Sequence, residues 1–353
     1  MNLPNKKAKL ILEDGTELDG IQFGAANSVS GEVVFNTGMV GYPESLTDPS
    51  YHGQILTLTY PLIGNYGVPD HKILKYFESD KAQISGLVVS EFSESYNHWN
   101  AKENLGQWLE RFGVPGISGI DTRHLTKILR ERGTMLGKIV IDGKDVESYD
   151  PNHDDLISKV CPKETVEMGS GDKSILLIDC GCKNSIANNL VDRGLRVIRA
   201  PWNTDLNQFE YDGIVLSNGP GNPEMYLALS EKIKELFKKN VPMLGICLGH
   251  QMLARASGAK TFKLKYGHRS QNQPVKEKNK PNCYVTSQNH GFAVDLSTLP
   301  IGWESWFENL NDGTSEGIRH KRKPWMSVQF HPEAVPGPVD TQYIFDEFIK
   351  TLD

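Results

Sequence analysis

A cysteine set between two glycines, in Gly245-Ile246-Cys247-Leu248-Gly249-His250-Gln251, stands where an apolar run gives way to a helical one. Small flanking residues permit a sharp strand-to-helix turn that projects the side chain at the carboxyl end of a sheet. Open α/β sheets bind their ligands at that end, and the positive end of the following helix favours a thiolate. Cysteine is also a common core residue, so the turn alone does not make Cys247 a nucleophile. A thiol nucleophile needs a base, and the base needs an orienting group. Gln329-Phe330-His331-Pro332-Glu333 offers both. In extended chain, residues two apart project to the same side, so the Glu333 carboxylate can reach the His331 ring, and Pro332 stiffens the spacing. A third stretch, Leu216-Ser217-Asn218-Gly219-Pro220-Gly221-Asn222-Pro223, reads either as a tight βα turn or as part of an oxyanion hole. Gly219 and Gly221 let backbone N–H groups approach an oxygen closely, with the N–H of Leu248 as the second donor.

These stretches belong to a strand–helix alternation that begins at Ser174. Residues 174–179 form the near-continuous apolar run of a strand buried on both faces. A helix over 183–193 and strands over 195–200 and 213–217 follow. Next come a helix over 224–239, a strand over 242–246 and a helix over 249–257. Further strands lie near 284–287 and 325–329, and an amphipathic helix spans 341–352. The alternation implies a doubly wound, mostly parallel sheet. Residues 8–140 read differently, with short alternating segments such as 9–12 and 54–58, Gly and Pro turns, and helices over 103–112 and 122–132. The second of these helices has a cap at Asp121 or Thr122 and a stop at Gly133. Between the halves, periodicity is lost and Asp, Pro, Gly and Ser accumulate. The expected fold is therefore α/β, with an N-terminal α+β domain over 1–148, a linker over 149–172 and a doubly wound domain over 173–353.

Composition narrows the function classes. The chain has 353 residues, 38% hydrophobic and 23% charged, with 38 basic and 44 acidic side chains for a formal charge of -6. That is ordinary for a globular protein with a core, and nothing in it points to nucleic acid or a membrane. The basic cluster His320-Lys321-Arg322-Lys323 reads as a solvated loop before a strand. Residues 1–7 precede no apolar segment of signal-peptide length, and no stretch approaches the roughly 20 apolar residues of a membrane span. The five cysteines are odd in number and irregularly spaced, which favours reduced thiols and a cytoplasmic location. Cys180 and Cys182 have no second pair with which to complete a zinc site, so no metal is expected.

Taken together, Gly-Ile-Cys-Leu-Gly-His-Gln, Ser-Asn-Gly-Pro-Gly and Gln-Phe-His-Pro-Glu resemble the class I, or triad, glutamine amidotransferases. The resemblance implies attack of the Cys247 thiolate on the amide of glutamine, with His331 and Glu333 completing the triad, to give a glutamyl thioester, ammonia and glutamate. The first half carries Phe35-Asn36-Thr37-Gly38-Met39-Val40-Gly41-Tyr42-Pro43-Glu44, Leu58-Thr59-Tyr60-Pro61-Leu62-Ile63-Gly64-Asn65-Tyr66-Gly67 and Gly119-Ile120-Asp121-Thr122-Arg123. By themselves these are Gly- and Pro-punctuated turns. As strings, with Asn289-His290-Gly291-Phe292-Ala293-Val294, they resemble the small, glutamine-hydrolysing subunits of carbamoyl phosphate synthetases. That likeness implies glutamine binding by Ser50, Gly219, Gly221, Leu248, Gln251, Asn289, Gly291 and Phe292, with Ser50 drawn from the first domain. It implies no cofactor on this chain. ATP and Mg2+ belong to a large synthetase subunit that takes up the ammonia and activates bicarbonate. Anthranilate or GMP synthesis is the competing destination for that ammonia, and its amidotransferases lack the first half seen here.

Overall fold

Short strands of alternating burial build the first of two units, Met1–Asp154 and Asp155–Asp353, in a computed structural model that describes residues 6–70 and 72–353. In β1 (Lys7–Leu12) the inward positions are Ala8, Leu10 and Leu12, the period of two that a half-buried strand requires. The remaining elements of this unit are β2 (Glu17–Gly24), β3 (Val29–Asn36), α1 (Tyr42–Thr47), β4 (Gln54–Leu58), β5 (Leu62–Ile63), β6 (Gly86–Val88), β7 (Glu91–Phe92), α2 (Leu105–Arg111), β8 (Pro115–Ser118), α3 (Thr122–Arg132) and β9 (Met135–Ile141). Seven strands close into a barrel in the order β1-β2-β8-β6-β4-β3-β9, while β5 and β7 form a separate pair. The pairs β3–β4, β4–β6 and β6–β8 are parallel. Leu105, Trp108 and Leu109 of α2 pack with Phe23 and Val114. The cap expected for α3 is present, with the Asp121 carboxylate accepting from the His124 N–H at 2.8 Å and Gly133 closing the helix at φ 105°.

The second unit holds α4 (Ile157–Val160), β10 (Val166–Met168), β11 (Ser174–Asp179), α5 (Asn184–Asp192), β12 (Arg196–Pro201), β13 (Gly213–Leu216), α6 (Leu227–Leu236), β14 (Met243–Ile246), α7 (Leu248–Ser257), β15 (Lys260–Glu277), β16 (Cys283–Asp295), β17 (Trp303–Asn309), β18 (Ser315–His320), β19 (Trp325–Val328) and α8 (Tyr343–Ile349). One ten-stranded sheet runs β10-β12-β11-β13-β14-β19-β18-β17-β15-β16. Its centre, β12 through β19, is parallel. Its flanks are antiparallel, so the sheet is mixed where a mostly parallel one is expected. The residues of 149–172 read as linker are also not open chain throughout, since α4 and β10 lie within them and β10 pairs with β12. The helix expected over 224–239 is interrupted at Tyr226 (φ -109°, ψ 47°), leaving α6 between two 3-10 turns.

Both faces of the parallel centre are covered, as a doubly wound sheet demands. Leu176 and Ile178 point to one side with Leu229 and Ile233 of α6 and Met252 and Leu253 of α7. Ile175 and Leu177 point to the other with Ile186 and Leu190 of α5 and Ile344, Phe345 and Phe348 of α8. Among the described residues no helix is long and apolar enough to cross a membrane.

Candidate active site

Sheet order brings the chemistry together. The neighbours β11, β13, β14 and β19 run parallel. Their carboxyl ends lead in turn to Lys183, to the 217–222 turn, to Cys247, and to His331 with Glu333. Cys247 caps α7 at φ 53°, ψ -105°, a strained conformation for a residue with a side chain. Its N–H is held by the Val328 carbonyl at 2.9 Å, across the β14–β19 pair. Glycine is obligatory at 249, where a Cβ would come within 2.2 Å of the Leu216 carbonyl oxygen, and at 219, where it would come within 2.1 Å of the Cys180 carbonyl oxygen. The turn after β13 therefore lies against both the nucleophile helix and the end of β11.

His331 follows β19 and is fixed by its own N–H, which donates to the Ser287 carbonyl at 2.9 Å. Its Nδ1 meets Glu333 Oε1 at 2.6 Å. Both groups are buried, at 2% and 0% exposure. Among the described residues Nε2 of His331 makes no hydrogen bond of standard geometry, and Cys247 is among the groups that act on the ring. The thiol of Cys247 lies 3.6 Å from the Asn289 carbonyl oxygen of β16. Burial would lower the pKa of His331, but the Glu333 carboxylate and Cys247 outweigh it and raise it to about 10. Burial would raise that of Glu333, and Lys183 and His331 bring it down instead to about 2.

Lys183 is the site residue that sequence reading misses. Only 2% exposed, it donates from Nζ to Glu333 Oε1 at 2.7 Å and to the Val335 carbonyl oxygen. Its backbone N–H bonds Asn218 Oδ1 at 2.9 Å. Glu333 thus accepts from a base on one side and a buried cation on the other.

The sign of that arrangement is testable. A carboxyl whose pKa is depressed on folding stabilises the fold above its ordinary value of 4.5, and loses that contribution as pH falls toward about 2. Thermal melts of the wild type and Glu333→Gln should therefore differ most near neutral pH, and the gap should narrow on acidification. A gap that stays constant down to about pH 3 would contradict the assignment.

The other expected residues divide. Asn289, Gly291 and Phe292 lie on β16, the strand against the thiol. Gln251 Nε2 donates to the Phe292 carbonyl at 2.9 Å and to Gln329 Oε1 at 3.1 Å. Both amide hydrogens of Gln251 are thus engaged, and the group it can offer a ligand is Oε1. Gly221 (φ 91°) turns the backbone where a side chain would meet the Tyr226 hydroxyl. Ser50 belongs to the first unit, in a 3-10 turn whose cap, Asp48, accepts from the Ser50 N–H at 2.9 Å. His250 is not a second base. It is fully buried, bonds Ser327 Oγ through Nδ1 at 2.9 Å, and burial pushes its pKa down to about 3.

Comparison with known proteins gives two matches along the chain. Residues 10–139 match the family described as carbamoyl-phosphate synthase small chain, CPSase domain, and residues 176–351 match glutamine amidotransferase class-I. The carbamoyl phosphate synthase arginine-specific small chain of Saccharomyces cerevisiae is 47% identical over 365 residues, covering 98% of this chain and 89% of that protein. The mitochondrial carbamoyl-phosphate synthase (ammonia) of Homo sapiens is 46% identical over 361 residues, covering 100% of this chain and 24% of the human one. The multifunctional protein URA2 of Saccharomyces cerevisiae is 46% identical over 384 residues, covering 97% of this chain and 17% of its own. The chain spans about a quarter or less of the length of these last two relatives.

Proposed function

Because the chain belongs to the carbamoyl-phosphate synthase small-chain family and carries a class-I glutamine amidotransferase domain, we propose that it hydrolyses glutamine and passes the ammonia to an ATP-using synthetase portion. The observation that carries this reading is the buried line Cys247, His331, Glu333 at the carboxyl end of the sheet. Cys247 attacks the side-chain carbonyl carbon of glutamine as a thiolate, its proton already held by His331. The resulting oxyanion is met by the N–H of Leu248 and one N–H of the 219–221 turn. Leu248 opens α7, where N–H groups have no intrahelical acceptor, and one such donor is worth roughly 10²–10³ in rate. The C–N bond then breaks, His331 returns its proton to the departing nitrogen, and ammonia leaves a glutamyl thioester. Water, deprotonated by His331, cleaves the thioester to glutamate and restores the thiolate. Glu333 orients the ring and stabilises the imidazolium.

Glutamine itself is assigned to Gly219, Gly221, Leu248, Gln251, Asn289, Gly291 and Phe292, with Ser50 added by family likeness. ATP, Mg2+ and bicarbonate belong to the synthetase portion, a separate large subunit in this reading, and the product is carbamoyl phosphate. None of the five cysteines is in a disulfide, in keeping with a reducing compartment such as the cytoplasm.

Glutamate release from glutamine by the complex with its synthetase portion tests the proposal. In Cys247→Ala it should fall by at least about 10⁴, with carbamoyl phosphate synthesis from free ammonia retained. Release at the wild-type rate in that variant would sink the reading.

A further inference from the structure

Beside the strand that faces the thiol lies a second buried cluster. His268 of β15, His290 of β16 and Glu316 of β18 each offer one ligand atom within 4.8 Å of the others. The outer nitrogens of the two rings are committed. His290 Nδ1 lies 2.8 Å from the Phe292 carbonyl oxygen, to which only an N–H can bond, and His268 Nε2 meets Asp312 Oδ2 at 2.9 Å. The inner nitrogens converge on one oxygen. His268 Nδ1 and His290 Nε2 lie 3.1 and 3.0 Å from Gln288 Oε1, and His268 Nδ1 is 3.5 Å from Glu316 Oε1. The orientation of Gln288 is set from its other end. Its Nε2 donates to Thr286 Oγ1 at 3.1 Å, and that hydroxyl donates to the Gln273 carbonyl at 2.9 Å.

This arrangement has more acceptors than donors. With its Nδ1 proton given to Phe292, a neutral His290 turns a lone pair at Nε2 toward the Gln288 carbonyl oxygen, and neither atom brings a proton. Glu316 is fully buried; Oε1 accepts from Asn309 Nδ2 at 2.8 Å, and Oε2 has no hydrogen-bond partner among the described residues. Buried acceptors without donors are costly, and a cation among them removes the conflict. A proton on His268 does so only in part. Burial would lower the pKa of that ring, while Asp312 and Glu316 outweigh it and raise it to about 9. Nε2 of His290 and Oε2 of Glu316 remain unmatched even then.

We propose that His268, His290 and Glu316, with the Gln288 carbonyl as a fourth group, form a structural site for a divalent first-row transition ion of the zinc type. Ligands about 2.0–2.1 Å from a tetrahedral ion stand about 3.3 Å apart; three of the separations here, two to Gln288 Oε1 and one to Glu316 Oε1, are 3.0, 3.1 and 3.5 Å, and the two imidazoles and the carboxylate lie within 4.8 Å of one another. The outer bonds, imidazole to the Asp312 carboxylate and imidazole to the Phe292 carbonyl, are the supports that metal-ligating histidines usually have. Two imidazoles, a carboxylate and an amide oxygen suit zinc and its neighbours better than calcium or magnesium. The ion ties β15, β16 and β18 together behind Asn289 and Phe292. Its binding does not depend on the hydrolytic reading.

The probe is Co2+, titrated into chain stripped by a chelator. The expected result is one equivalent bound, with visible d–d bands of nitrogen–oxygen ligation, no thiolate-to-cobalt charge-transfer band, and displacement by Zn2+. Glu316→Gln keeps the shape of the side chain and should weaken Co2+ binding by at least about a hundredfold, with an unchanged far-ultraviolet circular dichroism spectrum. Saturable binding with that spectrum in the wild type supports the site even if the variant fails to fold. No saturable Co2+ uptake, a spectrum dominated by thiolate ligation, or unchanged affinity in a folded Glu316→Gln would overturn it.

Discussion

His331→Asn should abolish glutamine-dependent carbamoyl phosphate synthesis while leaving synthesis from free ammonia largely intact. Loss of the base in a nucleophile–base–carboxylate triad costs on the order of 10⁴–10⁶ in rate. Asparagine keeps the backbone bond to Ser287 and leaves Glu333 paired with Lys183 at 2.7 Å, so the fold has no strong reason to fail. What disappears is the Nε2 atom next to Cys247. Parallel assays of the complex with glutamine and with an ammonium salt separate the two outcomes. Loss of both activities would mean that His331 is structural.

Lys183→Met should be the most destabilising single change at the site. Lys183, Glu333 and His331 are all at least 98% buried, and removing one partner from such a group leaves a charge without compensation, at a cost of about 3–5 kcal/mol. For a unit of this size that is a fall in Tm of roughly 10 °C. The carboxyl of Glu333, held low first by Lys183 and then by His331, should also rise. The acid limb of the glutaminase pH profile then moves to higher pH, a readout that a merely packing role would not move. A Tm and pH profile equal to those of the wild type would contradict the role given to Lys183.

Much of the second unit is legible because its signals are local. β11 is one unbroken apolar run, and β14 leads straight into the glycine-flanked turn at Cys247. His331 and Glu333 do meet as their spacing of two suggests, but across a turn at 332–333 beyond the end of β19 and not in the extended chain expected. Lys183 carries no such signal. It enters the site only because β11, β13, β14 and β19 are neighbours, and sheet order is a long-range property. The same reason hides the closure of the first unit into a barrel, which depends on parallel pairs among β3, β4, β6 and β8. β15 is hidden differently. It is long, largely polar and broken by Gly267 and Pro274, so it lacks the alternation by which a strand is recognised. Its partner β16 runs well beyond the expected 284–287, and together they bring His268 and His290 to one place. Gln251 shows a further limit: its position is apparent from the string around Cys247, but its engagement by Phe292 and Gln329 is not.

The central claim is that Cys247 carries the glutamyl group. It is tested most directly by acid-quenching the complex during turnover with isotopically labelled glutamine and mapping the label by mass spectrometry. The account predicts a labelled, hydroxylamine-labile glutamyl adduct on the peptide containing Cys247, and none in Cys247→Ala. Glutamate release that continues in Cys247→Ala, or an adduct found on a different residue, would contradict it.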